Sequence, residues 1–486
     1  MRELAMLDAT AQAELVRRRE VQALELVEAA IERIERLNPK LNAVVTPMYE
    51  RALEQARGQL PDGPFKGVPY LLKDLNTEVA GVRYTEGSSF LADFVSRHDQ
   101  ELVLRHRRAG LIALGKTNTP EFGILPTTEP ELFGPTRNPW NPAHSAGGSS
   151  GGSAAAVSSG MVPLAHASDG GGSIRIPASC CGLFGLKPTR MRNPTGPALG
   201  DGLGGLSVEH GLTWSVRDSA ALLDATAGPD AGAPYFSPPP FRPFLEEVGA
   251  DPGRLRIGLT TTAITGVPVD PECLRAVEET ARLCEELGHH VSPFTPGDLD
   301  GDELSAAFIV LYVTGVAASV KSWSQQLGRE ASPESFEALT WAMRDAALNY
   351  TAADYVLALG QLQVISRRIA ANLADIDVWL MPVLAEPPLL LGSFAGPPDN
   401  PMFGLMRAAI YVPFTPIANV TGQPAMSVPL AWTEAGLPVG SQFVGRYGDE
   451  ATLFRLAAQL EEARPWADRR PPLATAASAD SAGNLL

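Results

Sequence analysis

A glycine- and serine-rich stretch in the first half of the chain constrains the possible folds more than any other feature. Its two Gly-Ser clusters, at 147–153 and 169–173, enclose an alanine-rich segment with the pattern of a short helix and an apolar segment with the pattern of a strand. A flexible linker could have the same glycine content, but it would not enclose regular elements or end in the apolar run at 174–178. The stretch therefore predicts an ordered part of an α/β fold.

The remaining chain alternates short apolar runs with helical periodicity, which is typical of an α/β sheet. In the first sixty residues, apolar side chains recur every three or four positions up to Asn38-Pro39, and this pattern predicts a helical segment that ends there. From Leu255 to Val291 we expect a strand, a helix with Asp270 as its N-cap, and a second strand. Further helices are predicted over most of 301–375 and at 450–463, and further strands at 377–384, 420–430 and 439–445.

Composition and charge exclude several classes of protein. A chain of 486 residues is long enough for about three average domains or for one large α/β domain. Its 55 acidic and 39 basic residues give a net charge of −16, which disfavours binding to nucleic acids or anionic lipids. No run approaches about 18 uninterrupted apolar residues, and the N-terminus lacks the pattern of a signal peptide. We therefore expect a cytoplasmic protein with a small-molecule substrate and no nucleic acid or membrane partner.

The cysteines and histidines do not form a pattern typical of disulfides or metal sites. Cys180 and Cys181 are adjacent, where a disulfide would be strained, and Cys273 and Cys284 lie about three turns apart on one predicted helix. The seven histidines do not occur in the spacings that hold zinc. We expect neither a disulfide framework nor a metal, and we interpret Cys181 as inert packing rather than as a reactive thiol.

The second Gly-Ser cluster has the chemistry of an oxyanion hole. In Gly170, Gly171, Gly172 and Ser173, the glycines can adopt positive φ and bring successive backbone N–H groups close to one ligand oxygen. A serine that ends such a run is a candidate nucleophile, because the same amides can stabilise the charge on the tetrahedral intermediate that it forms. The run therefore indicates acyl transfer to Ser173.

Two other interpretations of the Gly-Ser clusters are weaker. Phosphate binding would need the Gly-Lys-Ser/Thr end of a P-loop, which neither cluster has. The segment 147–151 fits the G-x-S-x-G pattern of α/β-hydrolases, but that motif follows a buried strand, and Asn141-Pro142 lies just upstream instead. We therefore favour neither.

Lys73 is the candidate base for this serine. It ends the apolar run 70–72, where burial would disfavour the ammonium and lower the lysine pKa enough for the neutral amine to accept a proton. A single lysine after a strand is more often a surface residue. Its combination with the Gly-Ser clusters is what favours catalysis.

Several motifs in the same order resemble the amidase signature family. They are Leu72-Lys73-Asp74, GKTNTPE at 115–121, GGSSGG at 147–152, DGGGSIRIPA at 169–178, GLKPT at 185–189 and TGQPA at 421–425. The runs TTEPE at 127–131 and TRNPWN at 136–141 are most similar to the branch of 6-aminohexanoate cyclic-dimer hydrolases. The chain departs from the family pattern after Thr189, where Arg190-Met191 follow.

The resemblance implies a fold and a catalytic triad. The expected fold is a large mixed β-sheet surrounded by α-helices, in a single domain over 1–470. Within it we expect a helical scaffold at 1–62, a signature core at 63–215 and further sheet and pocket helices at 216–470, with a disordered tail at 471–486. By resemblance, Ser173 is the nucleophile, Ser149 is a bridging serine on a cis peptide bond, and Lys73 is the base. The family also implies that no cofactor is needed, that water is the second substrate, and that the protein forms a homodimer.

The resemblance leaves the substrate and one alternative function open. Arg175 matches a residue that contacts a substrate carboxylate in some family members, although a structural ion pair is at least as consistent with its position. We place Thr127 and Gly123 in the substrate pocket, whose apolar walls could come from a set of residues that could equally be core: Leu311, Tyr312, Trp323, Phe336 and Trp341. This indicates apolar, aryl or cyclic amides, with esters and carbamates as further substrates.

The alternative is the glutaminase subunit of a tRNA-dependent amidotransferase. That subunit typically has Gln where this chain has Ile176, which favours a free-standing amidohydrolase. A catalytically inactive binding protein on the same fold is also conceivable, but Lys73, Ser149 and Ser173 are all retained.

Overall fold

An eleven-stranded mixed sheet forms the centre of the fold. The structure is a computed structural model, and it describes residues 2–297 and 299–476. The strands of the described residues are β1 (Val44–Pro47), β2 (Pro69–Lys73), β3 (Ile112–Thr117), β4 (Leu164–Asp169), β5 (Phe184–Lys187), β6 (Val208–Thr213), β7 (Arg256–Leu259), β8 (His290–Pro293), β9 (Val378–Pro382), β10 (Ala425–Trp432) and β11 (Pro438–Val444).

Helices cover this sheet and connect its strands. Those of the described residues are α1 (Arg2–Met6), α2 (Ala9–Arg17), α3 (Ala23–Leu41), α4 (Tyr49–Arg57), α5 (Glu101–Arg108), α6 (Gly151–Ser158), α7 (Arg175–Cys181), α8 (Gly202–Gly205), α9 (Val216–Thr226), α10 (Pro271–Glu286), α11 (Gly301–Leu327), α12 (Ala338–Ala347), α13 (Ala352–Asn372), α14 (Phe403–Tyr411), α15 (Pro416–Thr421), α16 (Glu450–Ala463) and α17 (Pro472–Ala476). This architecture confirms the predicted α/β fold with a large mixed sheet.

The strand order brings distant parts of the chain together. It runs β1-β3-β2-β4-β6-β5-β10-β11-β9-β7-β8. Strands β3, β2 and β4 are parallel to one another, and so are β9, β7 and β8, whereas the other neighbours are antiparallel. Because β2 and β4 are parallel neighbours, their carboxyl ends lie at the same edge of the sheet, and the loops that follow both strands meet there.

Local sequence signals explain several of these elements. Helix α10 begins where the side chain of Asp270 accepts a hydrogen bond from the Glu272 N–H, and Pro271 is its first residue. With β7 before it and β8 after it, this confirms the predicted strand-helix-strand unit. Helix α16 has the predicted bounds, and β9 and β11 lie within or next to the predicted strands.

The first sixty residues differ from the prediction of helices alone. Strand β1 lies among them and pairs with β3, because the β-branched run Val44-Val45-Thr46 favours an extended backbone. Helix α3 also continues past Asn38-Pro39 and ends at Leu41, followed by Asn42 in the left-handed region. The last turn therefore accommodates Pro39 instead of stopping before it.

Two apolar clusters lie on the sheet. One forms where α3, α6 and α16 pack on it, with Val27, Val157 and Leu456 among its buried members. The other includes Leu311 of α11, Leu362 of α13 and Trp379 of β9. The second cluster anchors the helices that form one wall of the functional cavity.

Helix α11 is long and apolar enough to cross a membrane, by length and composition alone. The criterion of an uninterrupted apolar run did not single this helix out from the sequence, because polar residues such as Thr314 interrupt it. In the structure the helix packs against α12 and α13.

The end of the chain is described only in part. The first residues of the predicted tail include the short helix α17, and residues 477–486, also predicted to be disordered, lie outside the described residues.

Candidate active site

Lys73 lies at the carboxyl end of β2 with its side chain fully buried. Its Nζ donates hydrogen bonds to the Oγ of Ser149, at 2.7 Å, and to the Oγ of Ser168, at 2.8 Å. Ser168 belongs to the neighbouring parallel strand β4, and Ser149 lies in the loop before α6. The lysine amine is therefore bound by the sheet on one side and by this loop on the other. The amine is thus held between two hydroxyl groups.

Burial shifts Lys73 toward its neutral form. The pKa of this amine is lowered to about 7, because a buried ammonium loses its hydration, while the carboxylates of Glu209 and Asp169 act in the opposite direction. A large fraction of Lys73 is therefore a neutral amine near pH 7, and it can accept a proton.

Ser149 lies in the loop just before α6, and the peptide bond between Gly148 and Ser149 is cis. A Cβ at Gly148 would lie 2.5 Å from both the backbone N and O of Thr127, so only glycine fits at this position. The segment around Thr127 thus packs directly against the loop that carries Ser149.

Ser173 lies in the loop between β4 and α7, on the same side of the sheet. Gly172 has a φ of +142°, and a Cβ there would clash with Thr415 and Ile176, so the backbone conformation depends on glycine. Within the described part of the chain, the backbone N–H groups of residues 170–173 make no hydrogen bond. These donors lie beside Ser173, where a substrate oxygen could accept from them.

Ser149 and Ser173 line one cavity, together with Gly170 and Gly171. No hydrogen bond joins the two serine hydroxyls among the described residues, so Lys73 and Ser149 are linked while Ser173 is separate. In enzymes without substrate, catalytic hydrogen bonds are often long and tighten only in the complex.

Arg175 has the structural role. It is fully buried, and its Nε and one terminal nitrogen donate to the carboxylate of Asp169, at 3.0 and 2.9 Å. Its remaining donors bind Thr415 O, the Gln442 side chain and the Asn419 side chain. All five N–H groups are occupied by protein partners, which leaves none free for a substrate carboxylate.

The other two predicted pocket residues are in different environments. Gly123 lines the cavity, and a Cβ there would lie 3.1 Å from the Ser149 Oγ. Thr127 is buried below the cavity, where its hydroxyl donates to Glu129 and pairs with the hydroxyl of Ser145. The hydroxyl is used within the loop, and the backbone of this segment supports Ser149, so a substrate contact of Thr127 stays a prediction.

The cavity has a volume of about 1150 Å³ and a mostly apolar lining. Of the aromatic and apolar residues predicted for its walls, Leu311, Tyr312 and Trp323 line it. Phe336 and Trp341 do not belong to this lining; they stack on each other, with ring centroids 6.0 Å apart, in an adjacent apolar cluster. Further lining comes from Phe308 on α11 and from Met402, Leu405 and Met406 at α14.

Two residues at the site were missed from the sequence. Ser168 binds Lys73 directly, and Glu209 on β6 lies opposite Ser168 in the strand register. The sequence signal for Ser168 was its position directly before the cluster 169–173. The structure adds that its strand pairs with the strand of Lys73. Nothing in the local sequence marks Glu209, because its relation to Lys73 depends on strand order.

Within residues 2–297 and 299–476, no group of three or more His, Cys, Asp or Glu side chains could hold a metal ion. Cys180 and Cys181 are fully buried, and burial raises the pKa of the Cys180 thiol to about 12, in agreement with inert packing.

The arrangement can perform acyl transfer. A buried amine that is largely neutral is hydrogen-bonded to one serine, a second serine shares the cavity, and free N–H groups flank that second serine. These parts match a base, a hydroxyl nucleophile and donors for a developing oxyanion.

Comparison with known proteins agrees with this chemistry. The sequence profile of the Amidase family matches residues 25–454. The chain is 38% identical over 481 residues to the 6-aminohexanoate-cyclic-dimer hydrolases of a Pseudomonas strain and of Paenarthrobacter ureafaciens, covering 96% of this chain and 96% of each relative.

Solved structures give the same result. A 6-aminohexanoate cyclic dimer hydrolase matches with a TM-score of 0.90 at 38% identity, covering 96% of this chain and 99% of that one. A bacterial aryl acylamidase matches at 0.85 and 28%, covering 94% and 96%. A glutamyl-tRNA(Gln) amidotransferase subunit from Thermotoga maritima matches at 0.73 and 28%, covering 91% and 92%.

The family profile spans most of the chain, and the match to the cyclic-dimer hydrolases covers 96% of it. The chain therefore belongs to the Amidase family, the amidase signature enzymes, and is an amidohydrolase.

Proposed function

We propose that this amidohydrolase acts through a covalent acyl-serine intermediate on Ser173, with Lys73 as the base and Ser149 as the proton carrier between them. The observation that carries the proposal is the 2.7 Å hydrogen bond from the Lys73 Nζ to the Ser149 Oγ, at a buried lysine whose pKa is about 7.

The first half of the reaction forms the acyl-enzyme. Neutral Lys73 accepts the proton of Ser149 while Ser149 accepts that of Ser173, and the Ser173 Oγ adds to the carbonyl carbon of the amide. The N–H groups of residues 170–173 bind the oxyanion of the tetrahedral intermediate. The C–N bond then breaks as Ser149 gives a proton to the leaving nitrogen and takes the proton of the Lys73 ammonium in return, so the free amine departs and Lys73 is neutral again.

The second half uses water. A water molecule adds to the Ser173 ester as its proton passes through Ser149 to Lys73, and the tetrahedral intermediate collapses to release the carboxylic acid. The proton then returns to Ser173, which restores the enzyme. No group other than these side chains and water is required.

We further propose apolar, aryl or cyclic and oligomeric amides as substrates. The large cavity has apolar side chains such as Phe308 and Leu311 in its lining, which suits an uncharged acyl or aryl group. Likeness to the cyclic-dimer hydrolases and to the aryl acylamidase supports this class. Esters and carbamates share the tetrahedral intermediate, and we expect them as secondary substrates.

A glutaminase subunit of an amidotransferase is the less favoured function. Identity to the amidotransferase subunit is 28%, against 38% to the cyclic-dimer hydrolase, and the TM-score is 0.73 against 0.90. Glutamine would also place a charged amino acid against the apolar wall of the cavity.

The test is hydrolysis of four substrates by the purified protein: an aryl anilide, a cyclic amide dimer, a small primary amide and an aryl carbamate. We expect turnover of the anilide or the cyclic dimer, and a loss of about 10³- to 10⁴-fold in Ser173→Ala. Ser324→Ala is the matched control, because this hydroxyl on α11 binds only the backbone O of Arg329.

Mass spectrometry of enzyme quenched during turnover should show the acyl group on the peptide that contains Ser173. Full activity in Ser173→Ala would contradict the proposed nucleophile. Hydrolysis of glutamine alone, with the four substrates intact, would favour the amidotransferase subunit.

A further inference from the structure

Within the described part of the chain, the lining of the cavity contains acidic but no basic side chains. The acids are Glu78 and Glu86, and the lining includes no lysine, arginine or histidine among the residues described. The rest is mostly apolar, with hydroxyl and amide groups between the apolar side chains. A cavity lined by one sign of charge attracts ligands of the opposite sign and repels those of the same sign. This lining therefore favours a cation over an anion.

Glu86 is a buried acid that lacks a cation. Its residue is 8% exposed, and the hydroxyl of Tyr84 donates to its Oε1 at 2.7 Å, with the Trp323 side chain as a second donor. Over residues 2–297 and 299–476, no basic side chain forms an ion pair with this carboxyl. Neutral donors leave the negative charge uncompensated, which is unfavourable for a buried carboxylate. An ammonium group in the cavity would supply the missing charge.

The other charged groups around Glu86 have partners of their own. The Glu78 carboxyl lies 3.6 Å from the Nε2 of His98. The Lys116 Nζ lies 5.0 Å from the centroid of the Tyr84 ring, but it pairs with Asp74 at 3.8 Å and does not line the cavity. Lys116 therefore does not replace a ligand cation at Glu86.

Aromatic rings lie beside this carboxyl. Tyr84 and Trp323 both line the cavity, with ring centroids 6.0 Å apart, and Phe122 lines it as well. The faces of such rings attract ammonium groups, and the attraction is stronger where water is excluded. The carboxyl group and the rings thus combine the two kinds of group that bind organic ammonium ions.

Gln100 provides an independent sign of a hydrogen-bond donor that enters from the cavity. It lines the cavity, is 4% exposed, and its backbone N–H binds the Glu78 carbonyl at 3.0 Å. Its Nε2 donates to Thr195 O, whereas its Oε1 accepts no hydrogen bond from any described residue. A buried polar atom without a partner is rare in proteins. A ligand N–H would satisfy it.

Glu86 lies within reach of the reacting serines. The Phe122 N–H donates to the Glu86 carbonyl at 2.8 Å, and a Cβ at the next residue, Gly123, would lie 3.1 Å from the Ser149 Oγ. Both residues line the cavity. Since two residues span about 7 Å at most, one small molecule can extend from the serines to Glu86.

We propose that the cavity binds amide substrates that carry a protonated amine remote from the scissile bond, and that Glu86 selects them. The ammonium group donates to the Glu86 carboxylate, with the Gln100 Oε1 as a second acceptor, and packs against the rings of Tyr84 and Trp323. The inference rests on the proposed reaction at Ser173 and adds the charge of the substrate to it. Glutamine is not such a substrate, because its carboxylate would meet no cation in the described lining.

The experiment compares matched pairs of substrates with the wild type at pH 8. One pair consists of an ω-aminoalkanoyl anilide and the alkanoyl anilide in which a methyl group replaces the ammonium. The other pair places the same two alkyl groups on the nitrogen of a benzamide, so that both sides of the scissile bond are tested. Chains of four to eight carbons cover the possible distances to Glu86.

Both charges are present at this pH. Burial raises the pKa of Glu86 to about 7, so most of this carboxyl is ionised at pH 8. An alkyl ammonium has a pKa of about 10.4 and stays protonated. In at least one pair, we expect kcat/KM of the amino member to exceed that of the methyl member by about tenfold or more, as is typical of a hydrogen bond to a charged group.

Glu86→Gln removes the charge with little change in shape and keeps an oxygen that can accept from Tyr84. We expect it to lower kcat/KM of the amino member by about tenfold and to leave the methyl member unchanged. Glu461→Gln is the matched control and should keep the preference. The Glu461 carboxyl accepts from the Val216 N–H and has a pKa also raised to about 7 by burial, but it lies on α16 outside the cavity lining.

Equal rates within both pairs, or a preference for the methyl members, would overturn the proposal, and so would a full amine preference in Glu86→Gln. If this variant does not fold, as judged by circular dichroism, the comparison of substrates in the wild type decides alone. A wild type that hydrolyses no member of either pair would refute the proposed function. Calorimetry with n-hexylammonium would then still test Glu86, because we expect this ion to bind the wild type and hexanoate not to bind.

Discussion

The two sides of the cavity are built differently. The side with the reacting groups consists of buried polar residues, such as Lys73 and Ser168, whose side chains are fixed by hydrogen bonds. The other part of the lining consists of apolar helix residues such as Phe308 and Met406, which are partly or largely exposed. We expect a substitution among the polar residues to change the rate of the chemical step. A substitution among the apolar residues should change only which substrates the cavity accepts.

The largest effect should come from Lys73 itself. Lys73→Met keeps the length of the side chain but removes the base, and we expect kcat to fall by about 10³- to 10⁴-fold. The control is Lys66→Met, because Lys66 lies in a partly exposed turn before β2 and pairs there with Asp62. The measurement is steady-state kinetics on the preferred amide, and a loss smaller than tenfold would show that Lys73 is not the base.

A substitution in the loop beside Ser173 should have the next largest effect. In Gly172→Ala the new Cβ would clash with Thr415 and Ile176, so the N–H donors should move, and kcat should fall by about 10²-fold or more. In the control Gly360→Ala, the Cβ meets open space on α13, and activity should not change. Equal kinetics of the two variants would mean that these amides do not bind the oxyanion.

The pH dependence should follow Lys73. The neutral amine is the active form, so kcat/KM should fall about tenfold per pH unit below its pKa of about 7 and level off above it. The measurement is kcat/KM between pH 5 and pH 9 with an uncharged substrate. A profile that stays flat down to pH 5 would be inconsistent with a buried lysine base.

The smallest effect should come from the apolar side. Phe308 lies close to Gly171, since a Cβ at that glycine would be 3.5 Å from the phenylalanine Cζ. Phe308→Ala should lower kcat/KM for an aryl amide relative to a small primary amide by about tenfold and leave the acid limb in place. An equal loss for both substrates would indicate that Phe308 supports the glycine loop instead of contacting the acyl or aryl group.

The residues that we propose to react could be singled out in the sequence because they occur in local motifs. The glycines around Ser149 and Ser173 are required by backbone geometry, and such requirements leave a fixed spacing in the chain. Strands and helices with strong periodicity, such as α10 and α16, were predicted for the same reason.

The residues that support the site could not be predicted in this way. Glu209 reaches the neighbourhood of Lys73 only through the strand order β2-β4-β6, which no local pattern reveals. Phe336 and Trp341 are aromatic, like some of the residues that line the cavity. Only their packing shows that they stack on each other outside it. Strand β1 was missed because the helical pattern before it dominated the first sixty residues.

The contacts of Arg175 have a consequence for dividing the gene. All three proposed reacting side chains are encoded within the first 173 codons, yet Arg175 binds Thr415, Asn419 and Gln442, and Thr415 also donates to the Gly171 carbonyl. A fragment ending near residue 215 would thus contain every reacting group but lack the partners that hold the loop of Ser173. In a split-protein experiment, hydrolysis should return only when the two halves reassemble, so the enzyme could report on the association of any two proteins fused to those halves.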